Sequence, residues 1–184
     1  HLSYFGKELL GHDGVTHGFN SNIMYYPKTG TSLATLCNSF GPDYPADEAM
    51  SALLHEYFKT IPTANVSTGK SFVLGGDSAY IYDLNTLSAN ITPMGKSRYG
   101  TILNCRIRPG TNELYGISSA LGVELVQIDG TTGEAYPRKV IKFPGTVVPD
   151  IKGMAFKSAD TLYIGSFDGK LFMVNFQSGI TTQV

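Results

Sequence analysis

Tryptophan is absent from the 184 residues, cysteine occurs twice, and the four charged residue types make up only 16%. Two cysteines, Cys37 and Cys105, can build neither a disulfide framework nor a zinc cluster. Fourteen basic against fifteen acidic residues leave a formal net charge of −1, which excludes a nucleic acid as the expected partner. No run approaches the roughly 18 apolar residues of a membrane span. The opening His1-Leu2-Ser3-Tyr4 has neither a basic n-region nor an apolar h-region, so no export signal is expected there. No pattern calls for a metal or a cofactor.

What is present is glycine, 21 residues, with eleven tyrosines and ten phenylalanines. This composition predicts a β-rich protein whose length suffices for one sizeable core or two smaller ones. The expected fold class is mainly β with one helix, in two halves of different pattern.

The helix is expected between Pro45 and Thr60. Met50, Leu53, Leu54, Tyr57 and Phe58 fall at i, i+3, i+4, i+7 and i+8, a single stripe. Pro45 suits the first turn, Asp47 and Glu48 the positive N-terminus, Lys59 the C-terminus, and Pro62 stops it. His55 and Glu56 lie off the stripe and are expected on a solvated face. Ahead of the helix three strands are expected: about Leu9 to Val15, Phe19 to Tyr26, and Thr31 to Asn38. Pro27-Lys28-Thr29-Gly30 supplies turn chemistry between the last two.

Residues 62–70 are small and polar and are expected to be a linker. From 71 to 184 no helical period remains, and a pattern repeats. Ile81-Tyr82-Asp83, Gln127-Ile128-Asp129 and Met173-Val174-Asn175 each end an apolar strand and open a turn, with Asp83, Asp129 and Asn175 at intervals of 46 residues. A second strand lies upstream of each: Ser71 to Leu74, Glu113 to Ile117, and Thr161 to Gly165. Ile102 to Ile107 and Ile151 to Phe156 add a third strand to two of the units. A period in the forties with about four strands per unit resembles propeller blades, here about two and a half of them. Closed propellers typically need four to eight. The alternatives are an unfinished propeller, association with another chain, or a smaller sandwich or barrel. Because an open propeller exposes edge strands, the chain is expected to be a piece of something longer.

Gly11-His12-Asp13-Gly14-Val15-Thr16-His17-Gly18-Phe19, followed by Ser21, Tyr26-Pro27, Gly30, Leu36-Cys37-Asn38 and the helix, resembles the last part of the transpeptidase-like domain. That domain belongs to serine β-lactamases, D-alanyl-D-alanine carboxypeptidases and related esterases. The resemblance covers about residues 4 to 61 and assigns 1–61 as the C-terminal portion of such a hydrolase, an α+β piece. It implies that His12 holds the basic position of the strand flanking the cleft. Gly14 would keep that strand free of bulk, and the Val15 amide would be an oxyanion-hole donor, commonly worth about 3 kcal/mol. Asp13 replaces the usual hydroxyl, which disfavours anionic substrates and favours a neutral ester or amide. The resemblance also implies an extracytoplasmic or secreted location.

The family's nucleophile, a Ser followed three residues later by Lys, and its Tyr-x-Asn motif lie upstream of the His-x-Gly strand. No Tyr-x-Asn occurs in the sequence. Ser67-Thr68-Gly69-Lys70 matches Ser-x-x-Lys by letter but follows the third motif, and Lys28-Thr29-Gly30 spells the β-lactamase triplet inside a hairpin turn. Ala64 through Ser71 fits a relaxed phosphate loop, yet a helix precedes it and a strand follows, the reverse of what phosphate binding needs. His17 and His55 have no metal-ligand spacing with His12. Cys37 and Cys105 read as small core hydrophobes. Asn65-Val66-Ser67 and Asn90-Ile91-Thr92 are glycosylation acceptors by letter.

Two functions follow. One is a piece of a serine hydrolase, inactive alone. The other is a β-repeat binding module for a peptide, glycan or protein partner, with 1–61 as a vestigial neighbour.

Overall fold

The computed structural model describes residues 2–16, 18–38, 45–67, 70–75, 80–119, 122–145 and 148–184. His17, Thr68 and Gly69, named above, lie outside them. The described chain is mainly β with one helix and carries four antiparallel sheets. It divides into two compact units, residues 1–61 and 62–184.

The first unit holds β1 (Leu2–Tyr4), β2 (Lys7–Thr16), β3 (Phe19–Tyr26), β4 (Thr31–Cys37) and α1 (Pro45–Lys59), with the strands paired in chain order. Among the described residues four strands precede the helix rather than the expected three. The extra hairpin turns through Phe5 and Gly6, at φ 52° and 73°, while Tyr4 pairs with Lys7. A two-residue loop with both φ positive normally announces itself as Asn-Gly or Asp-Gly, and phenylalanine in the first place hides it. The turn after β3 behaves as its residues predict, with Gly30 at φ 70° and its amide donating to Tyr26 O at 3.0 Å.

The core of this unit joins Leu9, Met24 and Tyr26 of the sheet to Ala46, Met50, Leu54 and Phe58 of α1. The helix is pinned at both ends. Asn22 Nδ2 donates to Asp47 Oδ1 at 2.7 Å and Thr35 Oγ1 to Ala46 O at 2.8 Å, while Tyr57 OH bonds the hydroxyls of Thr29 and Thr31. The buried stripe is rotated from the expected one. Leu53 is 38% exposed, whereas the His55 side chain is only 13% exposed and meets the Phe5 ring edge-on at 5.8 Å. The unforeseen β1–β2 turn supplies that ring, so His55 is covered rather than solvated.

The second unit is three antiparallel meanders. The first is β5 (Ser71–Gly75), β6 (Tyr80–Leu84) and β7 (Ile91–Lys96). The second comprises β8 (Ile102–Ile107), β9 (Leu114–Ser118), β10 (Glu124–Ile128) and β11 (Ala135–Val140). The third comprises β12 (Ile151–Ser158), β13 (Thr161–Ser166), β14 (Leu171–Asn175) and β15 (Thr181–Gln183). Among the described residues, two of these sheets have four strands and one has three. Tyr115, Ile117 and Leu125 of the second sheet share one apolar core with Met154, Leu162, Ile164 and Val174 of the third.

The repeat is real but its anchor differs from the expected one. Asp129 Oδ1 accepts the amides of Thr131 and Thr132, and Asn175 Oδ1 that of Ser178. In the first sheet the residue doing this is Asn85, which accepts from Leu87 and Ser88, whereas Asp83 lies inside β6 and pairs with Lys70. The intervals become 44 and 46 residues. The letter match misled because Asp83 and Asn85 sit two apart and share turn chemistry. Details of the strands repeat too. β8 and β12 each bulge after their first residues, Ile102 and Ile151, and the outer strands β7 and β11 carry Pro93 and Pro137 beside a bulge in the paired register. Proline is tolerated there because an outer strand has a side without a ladder to feed.

Residues 62–67 do not swing free. Ala64 N donates to Asp129 Oδ2, Gly130 N to Ala64 O, Val66 N to Asn112 O, and Asn65 Nδ2 to Thr111 O, all between 2.7 and 2.9 Å. Val66 is 6% exposed. The expected linker is thus laced onto the second sheet over these residues.

Candidate functional site

Strand β2 carries the three residues that the sequence singled out. β1 covers only its first three residues, from Lys7 to Leu9, so among the described residues nothing pairs with the outer edge of 10–16. Register fixes which side chains share a face. His12 stands opposite Ile23 and Gly14 opposite Ser21, on the sheet face turned away from α1. Val15 pairs with Asn20 and lies on the other face, as does Asp13 opposite Asn22. Strand alternation therefore separates His12 and Gly14 from Asp13, which weakens any electrostatic effect of Asp13 on a group beside His12.

His12 is exposed, and no described residue hydrogen-bonds to its side chain. Ser21 Oγ donates to Gly14 O at 3.4 Å, and a Cβ on Gly14 would meet that Oγ at 3.0 Å. Beside Gly14 lies a shallow depression of about 270 Å³ whose lining includes Gly14, Val15, Thr16, Phe19, Ser21 and Leu36. Its surroundings are apolar, since Phe19, Ile23, Tyr25 and Leu36 are exposed on the same face.

The candidate nucleophile set is not assembled here. Lys70 forms an ion pair with Asp83 within the second unit, and Ser67 is exposed in a segment without helix or strand. Among the described residues no cluster of three or more His, Cys, Asp or Glu could hold a metal. Cys105 is 6% exposed, and burial, only partly countered by Arg106, pushes its thiol up to about 11. Such a thiol is a packing group, not a nucleophile.

Comparison with known proteins adds little to the β2 site. No family model matches the chain, and no curated protein resembles it. The hydrolase resemblance thus finds no counterpart there. Among solved structures the chain is similar to "YCF48 bound to D1 peptide", at 12% identity and a TM-score of 0.37. That likeness covers 88% of this chain and 48% of the other, so the chain spans about half that protein's length. At this level it carries no inference about the fold or the function.

Polar chemistry in the second unit went unseen in the sequence. Arg138 Nε donates to Gln127 Oε1 at 2.8 Å, Gln127 Nε2 to Glu113 Oε1 at 3.3 Å, and Arg108 Nη1 to Glu113 Oε2 at 2.9 Å. Arg108 also lies over the Phe176 ring at 4.2 Å and donates to Ala159 O, tying the second sheet to the third. Elsewhere Tyr99 OH donates to Glu124, both side chains being buried, and burial together with that bond drives the phenol's pKa upward. These four- and two-membered sets are internally hydrogen-bonded. They brace the scaffold. No spacing signal could have found them, because Glu124, Gln127 and Arg138 lie on strands and Arg108, Glu113 and Tyr99 in the connections between strands, so they meet only through the fold.

The incomplete first sheet is different. The turn and pairing registers align Val73 with Gly116 and Ile164, Leu87 with Thr131 and Gln177, and Ile91 with Ala135 and Thr181. In the complete sheets these places are buried or polar. In the first they are apolar and open: Val73 at 37%, Leu87 at 99% and Ile91 at 56% exposure. On the other face of this sheet, where Phe72, Asp83 and Thr92 share one cross-strand row, Lys70, Asp83 and Thr92 border a depression of about 340 Å³ that also takes in Asn65, Phe72 and Met94.

Proposed function

We propose that this chain is a binding module, and that residues 62–184 present the working surface for a peptide or protein partner. The unit is read as part of a propeller, a reading supported by the meander order of each sheet and the 44- and 46-residue intervals. The observation that carries the binding reading is the contrast at Val73, Leu87 and Ile91. Positions closed or polar in two repeats are open and apolar in the third, and apolar exposure where the equivalent places are covered marks an interaction surface.

Selection of a displayed random-peptide library on the full chain tests this. Enriched peptides should slow hydrogen exchange within residues 62–184. Failure to enrich any sequence, or binders that protect only residues 2–61, would overturn it.

A second reading concerns residues 1–61. The open edge of β2, with His12 and Gly14 on one face beside a shallow depression, fits the strand that flanks the cleft in the β-lactamase-like hydrolases. There the Val15 amide would hold an oxyanion formed from an ester or amide substrate. The serine would come from outside this sequence. The 184-residue chain should therefore show no turnover of nitrocefin or a p-nitrophenyl ester. Turnover abolished by a serine-directed reagent contradicts that expectation.

A further inference from the structure

Aligning the repeats by their turns makes β5 the counterpart of β9 and β13, so that Ser71-Phe72-Val73-Leu74-Gly75 stands against Leu114-Tyr115-Gly116-Ile117-Ser118 and Leu162-Tyr163-Ile164-Gly165-Ser166. β9 pairs on one side with β10 and on the other with β8, and β13 likewise with β14 and β12. β5 pairs with β6 alone. Among the described residues no strand hydrogen-bonds to its other edge. The first sheet thus lacks the strand with which each of the other two begins.

We infer that the free edge of β5 is the docking position of an extended segment from a partner protein, which adds as the missing first strand and buries apolar side chains at its first, fourth and sixth positions. This rests on the binding reading above and names its partner class and place. A bare strand edge offers a row of backbone donors and acceptors, and strand addition satisfies them whatever the sequence. Specificity comes from the side-chain slots, and the two complete repeats show what these demand. β8 buries Ile102 and Cys105, at 7% and 6% exposure, and half-buries Ile107. β12 buries Ile151 and Met154, at 3% and 4%, and packs Phe156 against the core. The residues between are Leu103, Asn104 and Arg106 in one strand and Lys152, Gly153 and Ala155 in the other, so those positions are permissive. Both strands bulge between the first and third positions, so the ligand must tolerate one there.

A second copy of this chain fits the edge poorly. Antiparallel pairing of β5 with itself sets Ser71 opposite Gly75, which places serine in the first slot and glycine in the sixth. The two strands that fill this position elsewhere have isoleucine in the first slot and Ile107 or Phe156 in the sixth. In that register, β5 paired with itself leaves the first and sixth slots without an apolar side chain.

The probe is a fluorescein-labelled peptide copying residues 101–108, titrated into the full 184-residue chain and read by anisotropy and by amide exchange. Saturable binding is expected, with slowed exchange at residues 71–75. Aspartate in place of the peptide's first and fourth key residues (those copying Ile102 and Cys105) should weaken binding about tenfold or more, because a charge would enter an apolar slot. The chain stays unaltered in this comparison, so no folding defect confuses it. The inference falls if the peptide leaves exchange at 71–75 unchanged. It also falls if those amides are already slow in the free chain at all concentrations, or become slow only as the chain dimerises. If library-selected peptides protect another part of 62–184 while this probe does not bind, the binding reading survives and the β5 assignment is lost.

Discussion

Ala89 is the residue at which the three repeats differ most tellingly. Its φ of 57° matches the 72° of Gly133 and the 71° of Gly179 at the same place in the other turns. A left-handed conformation costs a residue with a Cβ about 1–2 kcal/mol, part of which is returned through the lower freedom of alanine in the unfolded chain. Ala89→Gly should therefore stabilise the chain by about 0.5–1 kcal/mol in urea unfolding. Gly179→Ala should destabilise it by about 2 kcal/mol or more, since the added Cβ would also lie 2.3 Å from Val140 O. Asp129 carries a pH signature. Burial pushes its carboxyl upward, but the amides of Ala64, Thr132 and Thr131 outweigh this and hold it below the usual value of 3.8. A depressed carboxylate stabilises the fold above its unfolded pKa, and that contribution fades as the pH falls through the folded one. Asp129→Ala should accordingly cost about 1–2 kcal/mol at neutral pH, and the gap to the parent chain should narrow below pH 3.8, in paired urea melts.

At the scale of elements, α1 shows how a correct helix can be rotated by something the sequence hid. Its limits follow from Pro45, Asp47, Glu48 and Lys59, and its buried line is Ala46, Met50, Leu54 and Phe58. Leu53 belongs to the same periodic stripe yet faces out, because the Phe5–Gly6 hairpin covers the flank with His55 instead. Leu54→Ala should cost about 2–5 kcal/mol through the cavity it leaves. Leu53→Ala should stay within about 0.5 kcal/mol. Exchange of the α1 amides in urea separates the two. The strands were legible where alternation or turn residues were strong: β3 and β8 have the limits that their residues predict. β7 and β11 are not marked by such a signal, since each carries a proline, tolerated on an outer strand beside a bulge.

For the whole molecule, the segment 62–67 decides where the second unit begins. A polar, proline-containing stretch reads as a linker, but four hydrogen bonds and the buried Val66 make it part of the repeat unit. Gly130 has no Cβ because one would sit 2.4 Å from Asn65 O, so the contact is built in from both sides. A chain of residues 62–184 should therefore melt about 10 °C above one of residues 71–184, measured by circular dichroism. Equal melting temperatures would mean the lacing contributes nothing. By itself the sequence determined the fold class, the helix, most strands and the recurrence of one strand–turn unit, because these depend on local periodicity and turn chemistry. It also placed His12, Gly14 and Val15 on one strand. Only the tertiary structure decided that alternation sends Val15 to the opposite face from His12 and Gly14, that Asn85 rather than Asp83 anchors the first repeat, and that β5 has one bare edge. Those facts depend on register and on which strand lies beside which, and such pairings are made by contacts far apart in the chain.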